Sequence, residues 1–85
     1  MTNKKLSEFL VGEQGVVSAV DALPELAEQL MEQGIAVGET VTMEGQSPFG
    51  DPIVISLMNY HLSIRKSEAE KVILRDVEYM NGKRS

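Results

Sequence analysis

The side chains that could do chemistry in this sequence are few and widely spaced. His61 is the only histidine, and there is no cysteine. A transition metal prefers several converging histidine or carboxylate ligands, so His61 with Arg65 nearby is a poor centre for a metal site. Ser47, Ser56 and Ser63 belong to no motif that would place a serine beside a histidine and an orienting acid. We therefore expect no catalytic residue and no metal ligand, and we interpret His61 as a partly exposed strand residue.

The remaining candidates are acidic and sulfur-containing side chains. Several glutamates could bind a cation weakly, but runs of like charge more often solvate a helix face. They are Glu25, Glu28, Glu32, Glu68 and Glu70. Met31, Met43 and Met58 lie on apolar stripes and are interpreted as core residues rather than thioether ligands. With no glycine-rich phosphate loop and no nucleophile elbow, the sequence predicts neither an enzyme nor a cofactor.

Composition and charge narrow the class of protein. The chain has 85 residues, of which 42% are hydrophobic, and a formal net charge of −5. That length suits one small domain with one core. Nucleic acid and anionic lipid are not expected as main partners, because they require a basic face. No segment approaches the roughly 20 apolar residues of a membrane span and no signal peptide is evident, so we expect a cytoplasmic protein without membrane insertion.

One segment has the pattern of an amphipathic helix. Residues 24–33 are rich in helix formers, and Pro24 suits a first turn because its missing N–H is not needed there. Asp21 is a candidate N-cap, and Gly34 is predicted to end the helix in the left-handed conformation. A single apolar stripe follows the helical spacing. Its residues are Leu26, Ala27, Leu30 and Met31.

The other regular segments alternate apolar and polar residues, as strands do. The predicted strands are 16–20, 40–44, 53–58, 61–65 and 72–77. We expect Gly12 and Gly15 to bracket the turn before the first strand. Asn59-Tyr60 is predicted to form a tight hairpin turn because Asn tolerates positive φ. The capping-box spacing of Ser67 to Glu70 predicts a single helical turn.

These elements predict a mainly β domain with one helix. About five short antiparallel strands, with the helix between strands 1 and 2, suggest a small and strongly bent barrel. The helix is expected to plug or cap one end. The predicted domain spans residues 6–78, between a flexible N-terminus (1–5) and a flexible C-terminal tail (79–85).

Five segments of the chain carry a resemblance to a known family. They are Leu10–Val17, Leu30–Gly38, Pro48–Ile53, Asn59–Arg65 and Ser67–Val72. Their order and spacing are similar to those of the FeoA family, small cytosolic proteins of bacterial ferrous iron transport. The sequence departs from the family pattern at Glu28-Gln29, where a basic residue is common, at Val37 in place of proline, and at Asn59 in place of glycine.

The resemblance implies a fold and a function. The fold is an SH3-like β-barrel. The function is that of a non-catalytic accessory protein that binds and regulates FeoB, a membrane iron transporter with a cytosolic GTP-binding domain. The domain also resembles the C-terminal SH3-like domain of iron- and manganese-responsive repressors, so the alternative is a stand-alone module that binds a peptide or a metalloregulator. A small-barrel RNA binder is a third hypothesis, which the net charge opposes, and a homo-oligomer stays open.

A partner-binding surface can also be predicted. Shallow grooves between the loops of such a barrel suit an extended peptide or a partner's loop, and exposed aromatic residues are effective anchors. Phe49 and Tyr60 both lie in predicted bends, although Phe49 could instead fold inward and Tyr60 could pack over the hairpin. Asp51 could bond its own backbone to fix the turn. The predicted contact residues are Leu30, Met31, Pro48, Phe49, Asp51 and Tyr60.

Overall fold

The computed structural model describes residues 3–79, which form one antiparallel sheet and a helix of nine residues. The strands are β1 (Lys4–Lys5), β2 (Glu13–Val20), β3 (Thr40–Gln46), β4 (Ile53–Leu57), β5 (Tyr60–Ile64) and β6 (Val72–Tyr79). The helices are α1 (Pro24–Glu32) and the short α2 (Lys66–Ala69), and Leu6–Glu8 forms a 3-10 turn. The strand order is β1-β6-β2-β3-β4-β5. The predicted mainly β class, with a helix between the first two predicted strands, is confirmed.

The sheet has six strands and two open edges within residues 3–79. Lys4 and Lys5 form β1 by pairing with Leu74 and Ile73, although the sequence predicted a flexible N-terminus through residue 5. At the other edge, β4 is the only strand of the described residues that pairs with β5. Hydrogen bonding therefore does not close the predicted barrel into a continuous cylinder. Predictions for residues 1–2 and 80–85 lie outside the described residues.

The core lies between the inner face of the sheet, α1 and the 3-10 turn. Alternate residues of β4 are buried, as period-2 patterning requires. The largest fully buried side chains are Leu6, Leu30, Ile35, Met43, Ile53, Ile55, Leu57, Leu74, Val17, Val41 and Val72. Met43 is a core residue as predicted. Met31 and Met58 are 58% and 79% exposed, so interpreting them as core residues was wrong.

The helix α1 begins differently from the prediction and ends as expected. Leu23 is the N-cap residue and makes no side-chain cap bond, whereas the backbone N–H of Asp21 donates to the Lys71 carbonyl at 2.7 Å. Asp21 is therefore not the N-cap. At the other end Gly34 has φ +106° and donates its N–H to the Met31 carbonyl at 3.0 Å. This confirms the predicted left-handed glycine.

Two predicted turns are displaced along the chain. Gly15 lies inside β2, where a Cβ would approach Leu74 Cβ to 3.1 Å and Phe9 Cζ to 3.2 Å. Close packing, rather than a turn, explains this glycine. The β4–β5 hairpin turns at Met58-Asn59 instead of Asn59-Tyr60. Met58 takes the positive φ, 48°.

Glu13 anchors the N-terminal segment to the sheet. Its Oε1 accepts hydrogen bonds from Lys4 Nζ and from the Leu10 N–H, each at 2.8 Å. Partial burial raises the pKa of the Glu13 carboxyl, but the Lys4 bond, the Leu10 bond and the Lys4 charge outweigh burial. The pKa of Glu13 is therefore held below its usual value.

We expect Glu13→Gln to reduce the sensitivity of the fold to acid. A carboxyl with a lowered pKa in the folded state stabilises the fold above its unfolded-state pKa. That contribution is lost as the pH falls through the folded-state pKa. Urea unfolding near pH 7 and near pH 3 measures the effect. The wild type should lose more free energy of unfolding between these two conditions than the variant.

The matched control for this prediction is Glu44→Gln. Glu44 is exposed and forms no ion pair with the described residues. This control should lose as much stability in acid as the wild type. Equal losses in the Glu13 and Glu44 variants would contradict the assignment of Glu13 as an acid-sensitive anchor.

Candidate functional site

The most exposed aromatic side chain stands on a constrained loop between β3 and β4. Phe49 is 95% exposed, so the expectation that it folds inward as a plug is wrong. Ser47 Oγ accepts the Asp51 N–H at 3.0 Å and donates to the Asp51 carbonyl. The Ser47 N–H donates to the Pro52 carbonyl at 3.1 Å, and the Gly50 N–H donates to the Ser47 carbonyl at 2.8 Å. The loop therefore holds its shape without contacts from the Phe49 ring.

Asp51 connects this loop to α2. Its Oδ1 accepts the backbone N–H of Lys66 at 2.9 Å, the first residue of α2. Glu68 Oε1 accepts the Arg65 N–H at 3.4 Å, so the short helix carries the glutamate half of a capping box. The N-cap is Arg65 and the glutamate is Glu68, so the predicted capping box from Ser67 to Glu70 was displaced by two residues. Ser47, and not the Asp51 side chain, fixes the loop. The Asp51 side chain satisfies a helix N–H, which corrects the expectation that it fixes the turn through its own backbone, whereas its predicted contact with a partner stays a prediction.

A second exposed apolar surface lies at the other end of β4. The Tyr60 hydroxyl donates to the Gln33 carbonyl at the end of α1, and Tyr60 is still 45% exposed. Met31, Val37 and Met58 flank this contact along the chain and are 58%, 68% and 79% exposed. We call Met31, Val37, Met58 and Tyr60 the hairpin-end surface.

The structure divides the predicted contact residues into separate groups. Pro48 and Phe49 precede β4, whereas Met31 and Tyr60 lie at its far end. Five strand residues span roughly 15 Å, so one small contact cannot cover both groups. Leu30 is 0% exposed and belongs to the core. Its inclusion in the predicted surface is corrected, because a buried side chain contacts a partner only if the helix moves away.

Sequence reasoning missed three exposed apolar residues at the same end of the sheet as the Phe49 loop. Leu10, Val11 and Tyr79 are 61%, 48% and 56% exposed. The Gly12 N–H donates to the Met43 carbonyl on β3 at 2.9 Å, and Tyr79 pairs with Glu13. These contacts place all three residues at the end of the sheet toward which β3 runs. The apolar pair Leu10-Val11 directly before a turn glycine was the available signal.

Exposed apolar side chains and two open depressions are the main surface features of the described residues. The two depressions have volumes of about 460 and 440 Å³. The first is lined by Asp51, Pro52, Ser63, Ile64, Arg65 and Glu68. The second is lined by Asp21, Ala22, Leu23, Leu26 and Lys71. Across residues 3–79 no three acidic or histidine side chains converge to hold a metal ion, and no helix has the length and apolar character to cross a bilayer.

The FeoA domain family matches residues 4–76, nearly the whole described chain. The chain belongs to the FeoA domain family. A FeoA-like protein from Clostridium acetobutylicum is 31% identical, with a TM-score of 0.80 over 100% of this chain and 96% of that chain. Stenotrophomonas maltophilia FeoA complexed with zinc is 30% identical, with a TM-score of 0.76 over 87% of this chain and 94% of that one.

These similarities confirm two expectations. The Stenotrophomonas protein is described as a prokaryotic SH3 domain protein, so the SH3-like fold is confirmed together with the FeoA resemblance. A third relative, from Porphyromonas gingivalis, is an Fe(2+) transport protein A/Fe(2+) transporter FeoB fusion protein. It is 31% identical over 68 residues, which are 80% of this chain and 8% of the fusion protein. The FeoA family is thus associated with ferrous iron transport.

Proposed function

We propose that this FeoA-family protein is a non-catalytic, cytoplasmic accessory protein of ferrous iron transport. It binds a FeoB-like membrane transporter through the transporter's cytosolic GTP-binding domain and regulates it. The observation that carries this proposal is the Porphyromonas gingivalis relative, a fusion of a FeoA protein with a FeoB transporter. Fusion raises the effective concentration of two parts for one another, which favours domains that act together.

The surface around Phe49 is the proposed contact. We call Leu10, Val11, Phe49 and Tyr79 the loop-end surface. Aromatic anchors contribute a large share of binding energy at protein interfaces. The loop bearing Phe49 is already constrained by Ser47, so binding costs little ordering of the backbone. An apolar pocket on the transporter domain is the complementary feature.

The direction of the terminal strands supports this choice. β6 ends at Tyr79 beside Glu13, and the start of β1 lies beside Leu74. Because β1 and β6 are antiparallel, Lys4 is the residue of β1 that lies nearer to the Tyr79 end of β6. A partner domain held near Lys4 or Tyr79 would therefore lie on the side of the loop-end surface.

A titration with the transporter's soluble cytosolic domain tests the proposal. We expect Phe49→Ala to weaken binding at least about tenfold, the loss of one interface hot spot. Because the Phe49 ring is 95% exposed, this variant should fold normally, which circular dichroism can verify. Met31→Ala on the hairpin-end surface is the matched control and should change affinity by less than about twofold.

Two results would count against the proposal. Absence of wild-type binding at high micromolar concentrations would overturn the assigned partner. Binding that Met31→Ala weakens and Phe49→Ala leaves unchanged would keep the partner and overturn the loop-end surface. NMR on the isotope-labelled protein distinguishes these cases, since it maps which backbone amides shift when the transporter domain is added.

A further inference from the structure

The strand β5 has a free backbone edge. It pairs only with β4 among the described residues. Leu57 and Tyr60 pair with one another on either side of the two-residue turn. In an antiparallel ladder the backbone groups of alternate residues bond the neighbouring strand, so those of Tyr60, Leu62 and Ile64 point toward β4. The backbone groups of His61 and Ser63 point away from β4. Neither residue takes part in the turn, loop or cap hydrogen bonds of residues 3–79.

This edge lacks the features that usually protect a strand from pairing. Edge strands are commonly shortened, bulged, or protected by proline, lysine or an inward-pointing charge. The β4–β5 register is regular, with no bulge, and Tyr60–Ile64 contains neither proline nor lysine. The opposite edge, β1, has only two residues and both are lysines. β5 is therefore the edge of this sheet that is open to another strand.

We propose that β5 pairs with β5 of a second copy of this chain, antiparallel and about a two-fold axis at Leu62. In this register His61 of each copy faces Ser63 of the other, and their outward backbone groups form hydrogen-bonded pairs. Tyr60 falls opposite Ile64, and Arg65 falls opposite Asn59. No like charges face each other, although the chain as a whole carries −5.

The same register covers two features that a single chain leaves open. The depression of about 460 Å³ borders Ser63 and Arg65 at the end of β5. Met58, which is 79% exposed, lies in the turn at the start of β5. Because the paired strands run in opposite directions, the turn of the second copy lies beside Arg65, at the edge of this depression. Each copy therefore offers an apolar side chain to the other.

These observations favour a second copy over an unrelated strand, because the complementary residues belong to the chain itself. The paired edge is only five residues long. It is small compared with stable interfaces, which bury about 1,200 Å² or more. The dimer therefore forms reversibly and at high protein concentration.

Sedimentation equilibrium of the protein alone tests this inference. Between about 10 µM and about 1 mM, a range typical of weak association, the wild-type mass should rise from 9.4 kDa toward twice that value. Ser63→Pro removes an outward N–H and leaves the β4–β5 ladder intact, so this variant should stay monomeric. Ser63→Ala keeps the backbone donor and should associate like the wild type.

Two double variants with altered charges test the same pairing without proline, in case the proline variant misfolds. His61→Asp with Ser63→Asp places carboxylates opposite one another and should weaken association at least about tenfold. His61→Lys with Ser63→Asp places opposite charges across the axis and should restore association. Amide hydrogen exchange should slow at His61 and Ser63 as concentration rises. A wild type that stays monomeric at the highest concentration, or a dimer that none of these variants affects, would overturn the inference.

Discussion

Leu30→Ala is expected to lower the free energy of unfolding by about 3 kcal/mol. Leu30 is 0% exposed on the inner side of α1, and its carbonyl accepts the Ile35 N–H at 2.9 Å. The substitution leaves a cavity against the sheet and removes buried apolar surface. A domain of this length has a net stability of roughly 4 to 13 kcal/mol, so the loss is a large fraction of the total.

Urea unfolding of Leu30→Ala and of Met31→Ala compares the loss of stability at a buried and at an exposed position of the same helix. Met31 is the next residue and is 58% exposed, so its replacement should change stability by about 0.5 kcal/mol or less. If the two variants had equal stability and only Leu30→Ala lost partner binding, the core assignment of Leu30 would be wrong. The pair thus separates a packing role from a contact role.

Gly34→Ala is expected to lower the free energy of unfolding by about 2 to 3 kcal/mol. Gly34 has φ +106°, which side-chain-bearing residues rarely adopt. A Cβ at this position would also overlap the Tyr60 hydroxyl and lie 3.4 Å from Leu57 Cδ1. The backbone cost and the steric cost therefore act together.

Gly38→Ala separates these two costs. Gly38 has φ +97° but open space where a Cβ would lie, so its substitution should cost only the backbone part, about 1 kcal/mol. Equal effects of the Gly34 and Gly38 variants in urea unfolding would contradict the predicted overlap.

A double variant tests whether the Tyr60 hydroxyl causes the steric cost of Gly34→Ala. Tyr60→Phe alone removes the hydrogen bond to the Gln33 carbonyl and should cost about 1 kcal/mol. In the Gly34→Ala background the same change also removes the overlapping hydroxyl. The double variant should therefore lose less stability than the sum of the two single variants.

Local patterns were sufficient to predict most of the elements. The alternation of Ile53, Ile55 and Leu57 with polar or smaller residues identified a strand with one buried face. Pro24 marks the start of α1 and Gly34 marks its end, because the backbone geometry of each residue suits that end of a helix. These signals act within a few residues, so they could be read without knowledge of the tertiary contacts.

The errors arose where distant residues decide the structure. β1 exists because Lys4 and Lys5 meet β6 about 70 residues later. Leu30 and Met31 are neighbours on one predicted stripe, and only packing against the sheet makes the first buried and the second exposed. The Asp51 carboxylate accepts the Lys66 N–H from 15 residues away in the sequence, and no local motif predicts this contact.

The predicted contact surface was split into two groups because distant residues also decide which side chains lie together. Phe49 and Tyr60 both lie in or next to bends of the chain, and the sequence could not say that β4 holds them apart. The Phe49 side chain is free because the polar groups of its loop bond one another. The Tyr60 hydroxyl instead bonds the end of α1. Exposure of an aromatic residue thus depends on which neighbours satisfy the nearby backbone.

The Asp51–Lys66 hydrogen bond makes the backbone amide of Lys66 in α2 sensitive to the position of the β3–β4 loop. A ligand that contacts Phe49 lies beside the loop that holds the Asp51 carboxylate, and even a small shift of that loop would change the hydrogen bond to the Lys66 amide. The NMR signal of that amide would therefore register occupancy of the loop from a helix that the ligand need not touch. The Asp51–Lys66 bond is thus the contact through which a shift of the β3–β4 loop would reach α2 without any change of fold.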